Sequence, residues 1–218
     1  MMTDIAPDGV IVVETVVDVD AALFPVEAAA IDRAVEARRR EFTTVRYCAR
    51  QALNRLGLPH TPVLSRRPGG PQWPAGIVGS LTHCAGYRAA ALAWAQDVLA
   101  VGVDAEPHQA LPEGVTETVL SPSEIGWVNR MPSSVHWDRV VFSIKEAVFK
   151  AWNPLTGQWL DFHDAVVTCA EDGTFCARLI GTHMAGDGIR GRWMVDRDLI
   201  LSMATLSLQD RASSGGPT

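Results

Sequence analysis

The chain has very little lysine. Only Lys145 and Lys150 occur among its 218 residues, and every other strong cation is an arginine. Both lysines lie in one short stretch, Phe142-Ser-Ile-Lys-Glu-Ala-Val-Phe-Lys-Ala-Trp152. A lysine delivers a compact charge on a flexible stem, whereas an arginine offers a planar fork for two-point contacts. Two interpretations stay open at this point: a functional need for lysine in this stretch, or two lysines placed together by chance on a solvated helix face.

Long apolar runs are missing as well, which excludes a membrane-spanning helix. The first nine residues show no basic region followed by an apolar run, so we expect no secretory signal. The four cysteines form no CxxC pair and no Cys/His spacing suited to zinc; they are Cys48, Cys84, Cys169 and Cys176. We therefore expect reduced thiols in a cytoplasmic protein.

The chain is short of positive charge overall, with a net charge of -6. This argues against binding to nucleic acid, whose phosphate backbone requires clustered cations. The cations that are present concentrate near the N-terminus; they are Arg33, Arg38, Arg39, Arg40, Arg46, Arg50, Arg55, Arg66 and Arg67. This basic quarter indicates an anionic small ligand or an acidic partner, and a solvated amphipathic helix face is the alternative.

A hydrophobic content of 47% suits one compact domain or two small halves with a substantial core. Short β-rich runs bounded by turn residues predict strands at 10–17, 77–81, 88–94, 98–103, 165–169, 174–180, 189–195 and 199–206. Helical spacing of apolar residues predicts one or two helices over 25–56, and the Pro/Gly-rich stretch 59–74 is predicted to be loop or extended chain.

Two further helices are predicted in the second half. Ser121-Pro-Ser-Glu124 forms a capping box, so a helix should run from Pro122 to about Arg130. The next should run from about Val135 to Trp152, where Asn153-Pro154 is predicted to end it.

The order of elements predicts an α+β fold of two similar halves with pseudo-two-fold symmetry, each a small, mainly antiparallel sheet packed with helices. We place the N-terminal half at 1–101, the C-terminal half at 102–208 and a disordered tail at 209–218. Two halves in one chain can build a site without a partner, so we expect a monomer.

Three groups of residues could carry chemistry. Asp104 and Glu106 share one face of a predicted strand, which lets both carboxylates converge on one hard cation such as Mg²⁺. An acidic turn at the end of the strand is the alternative.

Glu146 and Lys150 are helical i,i+4 neighbours, which suits either a surface ion pair or a shared site, and Lys145 points well away from both. Thr82 and His83 place a hydroxyl beside an imidazole in a predicted glycine-bounded turn after a strand. This pair suits phosphate donation or, less directly, hydrolase chemistry, although no G-x-S-x-G elbow is present.

These motifs together carry a resemblance. Gly79-Ser-Leu-Thr-His83, Gly102-Val-Asp-Ala-Glu106 and Phe142-Ser-Ile-Lys-Glu-Ala-Val-Phe-Lys150, in this order, resemble the signature set of the 4′-phosphopantetheinyl transferases. The resemblance covers most of the chain and is to the monomeric type that activates peptide and polyketide synthases. Trp73-Pro, Thr82-His-Cys and Val135-His-Trp-Asp138 look most like its actinobacterial branch, which is related to the enterobactin synthase component and serves siderophore pathways.

The resemblance implies that the 4′-phosphopantetheine group passes from coenzyme A to a serine of an apo acyl or peptidyl carrier protein. The release of 3′,5′-ADP and the activation of polyketide, nonribosomal peptide or fatty acid synthases would follow. It implies Mg²⁺, or Mn²⁺ in its place, on Asp104, Glu106 and Glu146, with Glu146 also as the base. The lysines Lys145 and Lys150 would neutralise the pyrophosphate.

Coenzyme A contacts are implied for Thr82, His83, Asp104 and both lysines. Arg38 and Arg46 fall where the family places cations for the 3′-phosphate end, and Arg66 or Arg67 would replace a family lysine. Two residues depart from the family pattern: Thr82 stands where many members have serine, and Phe142 where many have tryptophan. The partners implied are acidic carrier proteins, with no nucleic acid and no membrane.

Two other classes remain open from the residues alone. A Mg²⁺-dependent phosphatase or nucleotidyl transferase could use the same carboxylates without any carrier protein. A noncatalytic module that binds coenzyme A would keep its affinity after loss of Glu146.

Overall fold

The computed structural model describes residues 1–65, 70–181 and 188–207. The predicted Arg66 and Arg67 contacts and the predicted disordered tail 209–218 lie outside this range. The strands are β1 (Ile11–Thr15), β2 (Leu64–Ser65), β3 (Pro71–Gln72), β4 (Ile77–Cys84), β5 (Tyr87–Trp94), β6 (Ala100–Pro107), β7 (Ala165–Cys169), β8 (Thr174–Leu179), β9 (Ile189–Asp196) and β10 (Leu199–Leu206). The helices are α1 (Pro25–Ala30), α2 (Glu36–Arg55), α3 (Thr116–Val119), α4 (Pro122–Val128) and α5 (Trp137–Thr156), with short 3-10 turns at Met2–Ile5 and Phe162–Asp164.

The first half is a three-stranded antiparallel sheet in the order β1-β5-β4, covered by the long helix α2. The helix buries a stripe of small and apolar side chains at helical spacing against this sheet: Val45, Cys48, Ala49, Ala52 and Leu53. Alanines fill much of β5, so the helix and sheet approach closely. This packing positions one face of α2 beside the end of β4.

The second half is a five-stranded antiparallel sheet in the order β6-β10-β9-β8-β7, covered by α5. Gly102 on β6 allows the close contact, because an added Cβ would lie 1.9 Å from the carbonyl oxygen of Ala147 on α5. The α+β class and the two packed sheets are as the sequence predicts. The symmetry between the halves and the boundary near residue 101 stay predictions.

The two sheets meet where β4 runs beside β6. The hydroxyl groups of Ser80 and Thr82 on β4 accept hydrogen bonds from the backbone N–H groups of Val103 and Ala105, at 3.1 and 3.0 Å. These bonds satisfy buried backbone donors of β6 that would otherwise lack partners on this side. The first strand of the second half is thus attached directly to the last part of β4.

The capping box at Ser121 and Glu124 is confirmed, but two local predictions are wrong. Helix α5 continues through Pro154 to Thr156, because Gly157 in the left-handed conformation (φ 69°) closes the last turn with a 2.8 Å bond to the carbonyl oxygen of Asn153. Thr82 and His83 lie on β4 rather than in a turn, since the strand extends to Cys84 and the chain reverses at Gly86 (φ 75°).

The cysteines carry no disulfide in the described part of the chain. Burial raises the pKa of Cys48 to about 11 and the pKa values of Cys84 and Cys169 to about 12. These thiols therefore stay protonated and weakly nucleophilic at neutral pH. None of the helices in residues 1–65, 70–181 and 188–207 has the length and apolarity to cross a membrane.

Candidate active site

Two carboxylates stand on one face at the end of β6, as their i,i+2 spacing predicts. Asp104 is 4% exposed, and its Oδ1 accepts a 2.7 Å hydrogen bond from the ammonium of Lys150. Its Oδ2 is buried and has no hydrogen-bond partner among the described residues. Glu106 is more exposed, and its Oε2 accepts a 2.9 Å bond from Arg139. One buried acceptor oxygen is therefore left without a donor, an arrangement that favours a cation.

Helix α5 brings Glu146 and Lys150 to these carboxylates. Lys150 also donates to the carbonyl oxygen of Val103, 3.2 Å away, so its ammonium lies directly on β6. Burial is the main reason that the pKa of Glu146 is raised above its usual range; the charge of Asp104 raises it further, and Lys150 opposes both. The same two causes raise the pKa of Glu106, and Arg139 opposes them. The carboxylates thus repel one another in a poorly solvated cleft.

The predicted metal set has the right chemistry but is not assembled as a metal cluster. Within residues 1–65, 70–181 and 188–207, no three His, Cys, Asp or Glu side chains are grouped closely enough to hold an ion. Lys150 engages Asp104, and Arg139 engages Glu106. The oxygen donors and the unpartnered Oδ2 of Asp104 nevertheless fit a hard divalent cation such as Mg²⁺.

The structure does not bring Lys145 to this cluster. Its side chain is 2% exposed, and its ammonium donates to Oε2 of Glu124 and to the carbonyl oxygens of Val119 and Phe162, each at 2.8 Å. All three donors of the ammonium are thereby occupied. Lys145 joins α5 to the segments before α4 and before β7, and the predicted contact with a pyrophosphate has no support from this placement.

One pocket of about 210 Å³ is lined by four residues that were predicted to contact coenzyme A: Arg38, Arg46, Thr82 and His83. Arg38 and Arg46 from α2 and His83 from β4 all line it, and Nη1 of Arg38 contacts Nε2 of His83. Burial lowers the pKa of His83, and the charge of Arg38 lowers it further. The imidazole is therefore neutral at physiological pH, beside a permanent guanidinium charge.

The two arginines of this pocket differ in their freedom. Arg46 is 6% exposed, stacks at 4.0 Å on the ring of Phe42, and donates from Nε to the carbonyl oxygen of Val63 at 2.8 Å. Arg38 is half exposed and is paired only loosely with Glu41, at 3.5 Å. Arg38 is the more exposed charge of the pocket, and Arg46 is largely a structural residue whose guanidinium forms part of the wall.

Much of the basic N-terminal quarter serves the fold rather than a ligand. Arg50 forms a buried 3.0 Å ion pair with Glu27, and Arg55 donates to the carbonyl oxygen of Val12. Arg39 donates to backbone carbonyls just before α2, and Arg40 pairs with Asp18. The simple count of arginines therefore overstated the positive surface of this region.

Sequence reasoning missed two features of the site. One is Arg139, whose distance of 33 residues from Glu106 gave no local signal. The other is an apolar groove of about 260 Å³ that starts at Glu146 and continues along Phe149, Trp159 and Leu160. Trp159 is 77% exposed and packs edge-on to Phe149 at 5.0 Å. The exposure of Trp159 and its contact with Phe149 are set by tertiary packing, so no sequence pattern indicated this groove.

Comparison with known proteins identifies the family of the chain. Residues 26–93 match the family model described as the 4′-phosphopantetheinyl transferase N-terminal domain. Residues 100–198 match the model of the 4′-phosphopantetheinyl transferase superfamily. The chain belongs to this superfamily and is an enzyme of the 4′-phosphopantetheinyl transferase class.

Three relatives narrow this membership to the actinobacterial type. The chain is 51% identical to 4′-phosphopantetheinyl transferase Svp of Streptomyces mobaraensis, over 83% of this chain and 77% of Svp. It is 48% identical to PptT of Mycobacterium tuberculosis (84% and 85%) and 42% identical to Npt of Nocardia iowensis (84% and 89%), both also 4′-phosphopantetheinyl transferases.

Proposed function

We propose that the protein transfers the 4′-phosphopantetheine group of coenzyme A to a serine of an apo carrier protein and releases 3′,5′-ADP. The observation that carries the proposal is the meeting of Asp104, Glu146 and Lys150 in one poorly solvated cleft. The cleft lies at the joint between the two sheets. The pocket of Arg38 and His83 opens on the β4 side of the same joint. Family membership supplies the identity of the group transferred.

Asp104, Glu106 and Glu146 are the residues that would hold Mg²⁺, because they present carboxylate oxygens and one of those oxygens lacks any donor. When bound there, Mg²⁺ would neutralise negative charge on the pyrophosphate. Lys150 provides a second positive charge from α5, in the same cleft.

Catalysis of this step depends mainly on positioning the two reactants and on stabilising the negative charge that develops. The serine oxygen of the carrier forms a new bond to the phosphorus that bears pantetheine, and the bond from that phosphorus to the oxygen of 3′,5′-ADP breaks. Glu146 accepts the serine proton, which suits a carboxylate whose pKa is raised by burial and by Asp104. Lys150 stabilises the charge that develops on the departing 3′,5′-ADP.

Coenzyme A would extend along the joint in both directions from Lys150. The 3′-phosphate would lie in the pocket of Arg38, Arg46 and His83, where two cations and a neutral imidazole donor meet. The pantetheine arm would follow the apolar groove that starts at Glu146. This placement puts the reacting phosphorus next to the proposed base.

We also propose that one chain is sufficient for activity. Both halves, 1–101 and 102–208, contribute described residues to the joint, so no second copy is needed to complete the site. The physiological partner would be an acidic carrier domain of a polyketide, nonribosomal peptide or fatty acid synthase.

The decisive assay incubates the protein with coenzyme A, Mg²⁺ and an apo carrier protein, and weighs the carrier by intact mass spectrometry. We expect the carrier to gain the mass of one phosphopantetheine group, and one molecule of 3′,5′-ADP to be released for each holo carrier formed. Release of inorganic phosphate without a carrier would instead identify a phosphatase. Binding of coenzyme A without turnover, over a panel of carriers, would identify a noncatalytic module.

Glu106→Ala tests the metal assignment in the same assay. We expect the variant to lose transfer while its circular dichroism spectrum stays that of the wild type, because Glu106 is only partly buried. The matched control is Glu113→Ala, which removes an exposed carboxylate a short distance along the same segment. Full activity of the Glu106 variant would remove this residue from the metal set.

A further inference from the structure

Arg139 donates hydrogen bonds to the last part of β6 and to the segment that follows it. It lies in the first turn of α5, and its side chain is 10% exposed. Nη1 donates to Oε2 of Glu106 at 2.9 Å, Nε to the carbonyl oxygen of Gln109 at 3.1 Å, and Nη2 to the carbonyl oxygen of Ala110 at 2.9 Å. Three of the five N–H donors of the guanidinium, one on each nitrogen, are therefore used within the protein.

The residues before Arg139 hold the same segment. The backbone N–H of Leu111 donates to Oδ2 of Asp138 at 2.8 Å, and the backbone N–H of His136 donates to Nε2 of His108 at 3.2 Å. The first turn of α5 and the chain just after β6 thus form one rigid unit. Arg139 is the member of this unit that reaches back to a proposed metal ligand.

The contact fixes one half of the Glu106 carboxylate. The backbone of Glu106 is held by pairing with Ile200 on β10, but its side chain is 21% exposed and would otherwise choose among several rotamers. Arg139 holds Oε2, while Oε1 makes no hydrogen bond within the described part of the chain. A carboxylate held by one oxygen presents the other in a defined direction.

We propose that Arg139 is a positioning residue that orients Glu106 to receive the divalent cation. This inference rests on the proposed function, since it assumes that Glu106 is a metal ligand. Partners that orient a metal ligand from outside the coordination shell typically change metal affinity by about 10- to 100-fold. Arg139 acts through Glu106 and does not touch the substrate.

Two effects of Arg139 on a cation have opposite signs, which makes the inference testable. Its positive charge near the site repels a divalent cation and so weakens binding. Its hydrogen bond to Glu106 orders a ligand and so strengthens binding. The four bonds that tie this unit together favour orientation as the larger effect. Removal of Arg139 should therefore weaken metal binding even though it removes a repulsive charge.

The experiment titrates the full chain with Mn²⁺ and follows the signal of free Mn²⁺ by electron paramagnetic resonance, with and without coenzyme A. Arg139→Gln removes the fork and the charge, and Arg139→Lys keeps the charge but not the fork. The matched control is Arg50→Gln, because Arg50 makes the same kind of buried contacts, to Glu27 and to the carbonyl oxygen of Ala22, in the other half.

We expect both Arg139 variants to raise the Kd for Mn²⁺ about tenfold or more, and Arg50→Gln to leave it unchanged. A Kd within twofold of the wild type, or tighter binding, in Arg139→Gln would overturn the inference. Wild-type affinity in Arg139→Lys would show that the planar fork is not needed to orient Glu106, and would also overturn the inference. If Arg139→Gln does not fold, the lysine variant decides alone, because it keeps the long stem and the charge.

The outcomes separate this inference from the proposed function. If the wild type binds no Mn²⁺ and modifies no carrier, the proposed function fails first. If the wild type binds Mn²⁺ and modifies the carrier while the Arg139 variants bind Mn²⁺ equally well, only the role of Arg139 is refuted.

Discussion

Lys145→Met should destabilise the protein without impairing its recognition of coenzyme A. The ammonium of Lys145 is buried and forms a 2.8 Å ion pair with Glu124. Loss of the ammonium leaves the carboxylate of Glu124 buried with only two backbone donors, from Ser121 and Val167. It also leaves the carbonyl oxygens of Val119 and Phe162 without this donor.

The expected loss is about 3–5 kcal/mol in the free energy of unfolding, the usual cost of breaking a buried ion pair from one side. For a chain of this length each kcal/mol lowers the melting temperature by about 2–4 °C. Calorimetry should therefore show a melting temperature lower by about 6–20 °C. Lys145 lines the groove proposed for the pantetheine arm, but its ammonium is occupied by Glu124 and two carbonyl oxygens. Below that transition, the KM for coenzyme A should therefore stay close to that of the wild type.

Two variants make the reasoning refutable. Lys150→Met replaces the other lysine, which is 29% exposed and faces Asp104; it should lose transfer activity with a smaller loss of stability. Adding Glu124→Gln to Lys145→Met should cost less than the sum of the single changes, because no unpaired charge then remains buried. Wild-type stability of Lys145→Met together with a raised KM for coenzyme A would show that Lys145 binds the substrate after all.

Two further outcomes are expected. In the metal-free protein, carbon-13 NMR should show Glu146 titrating above its ordinary pKa of 4.5, and Lys150→Met should raise that pKa further because the ammonium normally lowers it. Because the pKa of Glu146 is raised in the folded state, its contribution to stability is present below the unfolded pKa and is lost as the pH rises through the folded pKa. A measured pKa at or below 4.5 would contradict the argument that burial raises it. Gly102→Ala should cost about 1–3 kcal/mol or more by thermal unfolding, because the new Cβ meets the carbonyl oxygen of Ala147 at 1.9 Å. At Gly126 on α4 an added Cβ would make only an ordinary contact, 3.7 Å from Nη1 of Arg130, so Gly126→Ala should be neutral or slightly stabilising. Equal losses in the two variants would refute the close-contact explanation.

Local features of the site were accessible from the sequence because they depend on short-range geometry. The i,i+2 spacing of Asp104 and Glu106 puts both on one strand face, and the i,i+4 spacing of Glu146 and Lys150 puts both on one helix face. The same helical geometry already turned Lys145 away from them. The failed prediction at Pro154 was also local, but the effect of a proline near a helix end depends on whether a glycine cap follows.

The sequence by itself therefore determined the family and the class of fold, and it indicated the carboxylates that we propose as metal ligands. Only the tertiary structure decided that Lys150 bonds to Asp104, because that contact depends on α5 being pressed against β6 at Gly102. It also decided that Arg139 bonds to Glu106, which is 33 residues away along the chain. In the same way, hydroxyl groups of β4 accept hydrogen bonds from backbone N–H groups of β6 that are 23 residues away. Spacing along the chain reports which side chains share a face, whereas the partner of each face is set by packing between distant elements.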